Sequence, residues 1–303
     1  MRPPHGFGTV TVRLVNGTAG GGDVAGSVVK LTIYVEGQPR RVLEATADSE
    51  GKAVFENVIT ARGIAAAAQA RYGEMSFGGH AFMLEPGKNA FETVIDVFEV
   101  STDNSKLSVG SHDLILRAHG SGIVVTEVME LINPTDRAIS STVRNEDGKP
   151  QVVSVHLPAG YHSLEVGKHF QPEALVLTRE GFYDTMALPP GKFEAAFSYI
   201  VPITGSTVEI SKKMSMRVAE FSVFSQLPPG RIEGLGEPEG RIPDTDAEYW
   251  AAASYDAGHT LTFKVVGFTT EYSDTRDIVI LSGVFAVIIL LCVVRLIKKP
   301  QAS

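Results

Sequence analysis

One cysteine in 303 residues, Cys292, rules out an intrachain disulfide, so the chain must hold its shape by core packing alone. The same scarcity removes a CxxCH haem attachment and any cysteine zinc site. Positive charge is also short. Lys and Arg number 27 against 35 Asp and Glu, for a net charge of -8, which disfavours nonspecific nucleic-acid binding and predicts a solvated surface. No GxSxG or HExxH pattern occurs. Carboxylates such as Glu127, Glu130 and Asp184 follow no spacing rule that would pair them as acid and base. The opening MRPPHGFGTV has no charged stretch followed by an apolar one, so an export signal is expected to have been cleaved or omitted, or the start to be misplaced.

What the chain does have is period-two alternation. Val10, Val12 and Leu14 fall on one face and Thr9, Thr11 and Arg13 on the other, the pattern of a half-buried strand. Residues 16–26, NGTAGGGDVAG, read as a loop. Gly20, Gly21 and Gly22 lead into Asp23 and a strand, not into the Lys-Ser/Thr pair and helix of a phosphate loop. Asn16-Gly17-Thr18 fits a glycosylation tripeptide. Val29, Leu31, Ile33 and Val35 share one face of a second strand, residues 42–47 make a third, and Asp48-Ser49-Glu50-Gly51 turn the chain before Phe55.

This order, with Asp48, Gly51, Phe55 and then Val58, resembles the carboxypeptidase regulatory-like (transthyretin-like) β-sandwich over about the first ninety residues. The resemblance implies structural roles: Asp48 and Gly51 shape a hairpin and Phe55 packs in the core. It also implies a noncatalytic module of the kind appended to enzymes, receptors and surface proteins. One departure is residues 63–70, GIAAAAQA, where the family often has a tyrosine-rich strand and where a helical turn is the competing reading.

Residues 98–225 carry further alternating segments about ten residues apart, punctuated by Asn133-Pro134, Pro158-Ala159-Gly160 and Pro189-Pro190-Gly191, the signature of a second β-sandwich. His112, His119, His156, His162 and His169 are the metal candidates. Their spacings fit no ligand pattern, so they are read as scattered surface residues. Residues 226–277 begin rich in Pro and Gly. Asp244, Asp246 and Glu248 alternate, but Tyr249 stands where a calcium loop needs glycine. Tyr249 and the single tryptophan, Trp250, are either packed in a core or a ligand contact. Residues 261–268 read as a final strand beside 218–224.

Residues 278–297 form the longest apolar run. Ile278 to Val294 carry no charge, and twenty residues at about 1.5 Å each span roughly 30 Å, one hydrocarbon core. Arg295, Lys298 and Lys299 follow, so residues 298–303 are expected in the cytoplasm and the remainder outside it. A tail-anchored protein facing the cytoplasm is the competing topology.

The sequence therefore predicts an all-β chain of two tandem β-sandwich domains (Ig-like or prealbumin-like), residues 6–97 and 98–225. A Pro/Gly-rich membrane-proximal segment, 226–277, and one C-terminal transmembrane helix, 278–297, complete the expectation. The expected role is that of a noncatalytic extracytoplasmic scaffold or binding protein, with no cofactor, no metal and no nucleic acid. Its expected partners are the bilayer and a protein of the cell envelope. The alternatives are an accessory protein of a cytochrome c or respiratory system, which exported bacterial proteins of similar plan suggest, a carbohydrate-binding or adhesion module, and a hydrolase with an unrecognised site.

Overall fold

The structure is a computed structural model and describes residues 6–119, 122–228, 231–242, 245 and 247–267. In chain order the strands are β1 Gly6–Asn16, β2 Val28–Val35, β3 Gln38–Thr46, β4 Lys52–Thr60, β5 Ile64–Tyr72, β6 Met75–Gly78, β7 Phe82–Met83 and β8 Ala90–Val97. There follow β9 Val100–Ser101, β10 Ser108–His119, β11 Gly122–Asn133, β12 Ala138–Ile139, β13 Val153–His156, β14 His162–Gly167, β15 Leu175–Thr178 and β16 Gly181–Asp184. The last are β17 Gly191–Pro202, β18 Thr207–Lys213, β19 Val218–Ser225, β20 Ile232–Glu233, β21 Gly240–Arg241, β22 Glu248–Tyr255 and β23 Thr260–Val266.

The chain divides into two compact units. The first holds residues 1–102 with 135–139 and 187–190; the second holds the rest. In the first, β4, β1 and β8 make one sheet, while β3, β2, β5 and β6 make another with β7 beside β5. Alternation decides which side chains go inside. Val10, Val12 and Leu14 of β1 pack in one cluster with Val29, Leu31 and Ile33 of β2 and Phe55 of β4. Two sheets sharing one apolar core make this unit a β-sandwich. Residues 64–70 resolve to strand: Ala66, Ala68 and Ala70 of β5 face the core, and Ala65 and Ala67 alternate with them. Pairing with β2 along the full length of β5 overrides the helical preference of alanine.

In the second unit a seven-stranded sheet runs β14-β17-β11-β10-β19-β22-β21, and two three-stranded sheets run β13-β16-β15 and β18-β23-β20. Strand β11 is buried along nearly its whole length because both its faces are covered. On one face Val128 packs with Ile115, Ala196, Phe224, Ile242 and Ala247. The other face carries Glu127, opposite Leu114 of β10 and Phe197 of β17.

Two expectations are corrected. Among the described residues the fold class is all-β, without a transmembrane helix. Among the described residues the non-strand elements are two three-residue 3-10 turns, Asn104–Lys106 and Pro172–Ala174. No helix among them is long and apolar enough to cross a membrane. The physical reason is the period of two, which runs through nearly every apolar segment described and builds sheets. The segment 278–297, with Ile278, Val294 and Arg295, lies outside the described residues, as do Lys298 and Lys299. The second correction concerns β23, which pairs with β18 and β20 and not with residues 218–224. The edge of β19 is taken by β22, where Trp250 stands opposite Val223.

Candidate functional site

The densest group of titratable side chains lies inside the second unit. Alternation on β11 puts Glu127 in phase with Val125 and Met129, so its carboxylate enters the core beneath the small sheets. Strand β18 does the same with Lys212, in phase with buried Val208 and Ile210. The two meet: Lys212 Nζ lies 2.6 Å from Glu127 Oε2, with their side chains 3% and 0% exposed. His112 Nε2 is 2.7 Å from the same oxygen. The Tyr199 hydroxyl donates to Oε1 at 2.8 Å. Lys212 also donates to the His156 carbonyl at 2.8 Å and sits 5.6 Å from the centre of the Phe197 ring. Side chains from two sheets thus converge on one carboxylate, and the third sheet supplies the His156 carbonyl to Lys212.

The charges follow from this packing. Burial alone would push the Glu127 carboxyl up, but Lys212 and then His112 outweigh it and hold it at about 2. His112 is lowered, by burial first, against the opposing pull of Glu127. Tyr199 is raised well above its usual value, by burial first and then by Glu127. Glu127 is therefore ionised and His112 neutral at neutral pH. With the carboxylate ionised, the shared proton sits on His112 Nε2, which leaves Nδ1 as the nitrogen with the free lone pair.

A second buried acid behaves in the opposite way. Asp184, at the end of β16, accepts from the Met186 backbone N–H at 2.9 Å through Oδ1. Its Oδ2 has no hydrogen-bond partner, and His169 Nε2 stands 3.7 Å away. Burial raises Asp184 to about 6, against smaller backbone contributions, and lowers His169. Lys168 and His169 both adopt left-handed backbone, with φ of 32° and 48°. Such a pair is uncommon for residues other than glycine.

Other residues singled out from sequence are placed as follows. Asp48 Oδ1 accepts the backbone N–H groups of Glu50 and Lys52 at 2.8 and 2.9 Å, Gly51 has φ 75°, and Phe55 is in the core. Trp250 is buried and its indole N–H donates to the Gly236 carbonyl at 3.1 Å; Tyr249 stacks against Phe224. Asn16 donates to the Gly22 carbonyl at 2.9 Å and to the Tyr72 hydroxyl at 3.0 Å, so its amide is already engaged. Among the histidines, the reading of scattered surface residues fails at His112, which is 3% exposed. The signal was present in the sequence: His112, Glu127 and Lys212 each stand in phase with apolar neighbours. No group of three or more His, Cys, Asp or Glu residues that could hold a metal occurs among the described residues. Part of the acidic run, Asp244 and Asp246, lies outside them.

A shallow concavity of about 500 Å³ opens over β13, β15 and β16, lined by Ser154, His156, Thr178, Arg179 and Glu180 among others.

No family model matches the chain, and no curated protein matches it. The carboxypeptidase regulatory-like resemblance therefore stands at the level of a β-sandwich. Among solved structures the chain is similar to the full-length major pilin SpaD from Corynebacterium diphtheriae at 8% identity, over 86% of this chain and 81% of that one. The TM-score is 0.24.

Proposed function

We propose that this chain is a noncatalytic binding or scaffold protein that works outside the cytoplasm as an accessory component of an envelope complex. One observation carries the reading: the only place where an acid, a histidine, a tyrosine and a lysine converge among the described residues is sealed. Glu127 accepts from three side chains and is fully buried, so a substrate has no access to its carboxylate. Catalytic acids and bases need to reach the proton they move. A buried charged network between sheets instead fixes how the layers pack, which suits a rigid module.

The test has two arms. Purified protein offered ester, glycoside, peptide and phosphomonoester substrates is expected to give no turnover above buffer, and turnover that disappears in Glu127→Gln would overturn the proposal. Chemical cross-linking in intact source cells is expected to join the chain to a partner in fixed stoichiometry. A chain that remains uncrosslinked at every reagent concentration would count against the scaffold role.

A further inference from the structure

A half-open cleft of about 20 Å³ lies where β18 leads into residues 214–216, against β10, β11 and β13. Lys212, Lys213, His112, His156, Ser154 and Ser215 supply its polar lining, and no carboxylate does. The cleft adjoins the concavity over β13, β15 and β16, since Ser154, Val155 and His156 border both. From this juxtaposition we infer that the two hollows form one binding site for a sugar acid, with the ligand's carboxylate in the cleft and its hydroxyls in the concavity. This site is a different surface from the Glu127 carboxylate, and it does not depend on an envelope partner.

The charge in the cleft fits an anion. Lys212 is offset by Glu127 at 2.6 Å, and Lys213, exposed at the end of β18, adds a cation that Glu127 does not offset. Burial first, then Lys213 and Lys212, lower the pKa of His156, so its ring lies in their positive field. Glu180, 3.7 Å from His156 Nδ1, opposes them, but its side chain is 80% exposed and screened by solvent. The Ser215 hydroxyl oxygen is buried and has no hydrogen-bond partner. Leaving such a group unbonded is costly, and a carboxylate oxygen in the cleft would accept from it. Size selects the anion. At about 10–15 Å³ for each water-sized atom, the cleft holds the two oxygens of a carboxylate and not the four of a phosphate.

The concavity fits the remainder of a sugar. His156 stands opposite Gly181, and Gly181 opposite Thr178, across β13, β16 and β15. Alternation places Ser154 on the same face of β13 as His156. Gly181 brings no side chain to this row, and a Cβ there would stand 2.1 Å from the Val155 carbonyl oxygen, so the floor is set by close backbone approach. Gln151, Ser154 and Thr178 then offer uncharged hydrogen-bonding groups beside the exposed Arg179. Such groups match hydroxyls, and a volume of about 500 Å³ lies within the range of small-molecule sites. A plain surface hollow would show no preference between a charged and a neutral sugar.

The test titrates the full chain, in a nonionic detergent that covers the apolar run 278–297, with D-glucuronate at low ionic strength. Binding is followed by the histidine ring-proton NMR signals, that of His156 being the one lost in His156→Gln. A ligand of this size is expected to bind with a Kd on the order of 1 mM. Glucose lacks the carboxylate and acetate lacks the hydroxyls, so each should bind at least about 10-fold more weakly. Lys213→Ala, an exposed substitution, should weaken glucuronate about 10-fold while leaving the thermal midpoint unchanged. Bound glucuronate should raise the pKa of His156, so binding tightens as pH falls from about 7 to about 5. No saturable binding up to roughly 50 mM, equal affinity for glucose or acetate, or unchanged affinity in Lys213→Ala would overturn the inference.

Discussion

The two units solve the problem of a disulfide-free interior in different ways. Among the described residues, the first unit buries two polar side chains, Thr18 and Thr60, and otherwise packs apolar groups. The second buries thirteen, including Glu127, Lys212, His112 and Asp184. Apolar packing in the first unit is tolerant of pH. Charged packing in the second ties its stability to proton binding and makes each partner dependent on the other. The comparison predicts that perturbations of charge and pH register in the second unit and leave the first unchanged.

The strongest way to break it is Lys212→Met. The substitution leaves Glu127 as an uncompensated buried charge, a loss of about 3–5 kcal/mol. Trp250, the single tryptophan, lies in the second unit and reports its unfolding by fluorescence. The double variant Glu127→Leu/Lys212→Met removes both charges and is expected to regain most of the loss, since well-packed apolar residues often replace a buried ion pair at little cost. In the first unit Leu31→Ala is the matched control, with a cavity cost of about 2–5 kcal/mol that does not vary with pH. A Lys212→Met variant as stable as the parent would show that the network is ornamental and that the two units do not differ in kind.

Titration sharpens the contrast. Glu127 is depressed from 4.5 to about 2, so its contribution is present above pH 4.5 and is lost as pH falls toward 2. Asp184 is raised from 3.8 to about 6, so its contribution is present below pH 4 and is lost as pH rises through 6. The second shift corresponds to about 3 kcal/mol. Asp184→Asn removes the titration while keeping an oxygen for the Met186 N–H. Relative to the parent, the variant should gain about 3 kcal/mol between pH 4 and pH 7, read as the change in denaturant midpoint of the Trp250 signal. A difference between variant and parent that stays flat over that range would mean that Asp184 ionises normally.

Much of the first unit was legible because its strands alternate cleanly and one face of each is apolar. Residues 10–14 and 28–35 could be assigned to faces from their side chains alone. The alanines at 65–68 could not, because alanine's helix preference is local while its place in β5 is set by pairing with β2. The second unit was legible in element type but not in pairing: nothing in 261–268 distinguishes β18 from β19 as a neighbour. The buried cluster was hidden for a related reason. Each of Glu127, His112 and Lys212 broke an apolar alternation by itself, and a single break reads as an exposed position or a bulge. Their joint meaning needed the register that brings β10, β11 and β18 together.

The smallest effect tests the turn that carries the family resemblance. Gly51 has φ 75°, and a Cβ there would stand 2.8 Å from the Leu14 carbonyl oxygen and 2.9 Å from Val24 Cγ2. Gly51→Ala therefore meets both backbone strain and a close approach that backbone cannot easily relieve, costing about 1–3 kcal/mol. Asp48 organises the same turn by accepting two backbone N–H groups, which lowers its pKa, the Lys52 bond first. Asp48→Asn retains an acceptor oxygen and should disturb the turn less than Gly51→Ala does. Amide exchange at Lys52 is the direct measure, with Gly51→Ala expected to open this hairpin while exchange in β11 is untouched. Faster exchange in β11 as well would show that the units do not respond separately, and the contrast between an apolar and a charged interior would lose its value as a guide to where each perturbation is felt.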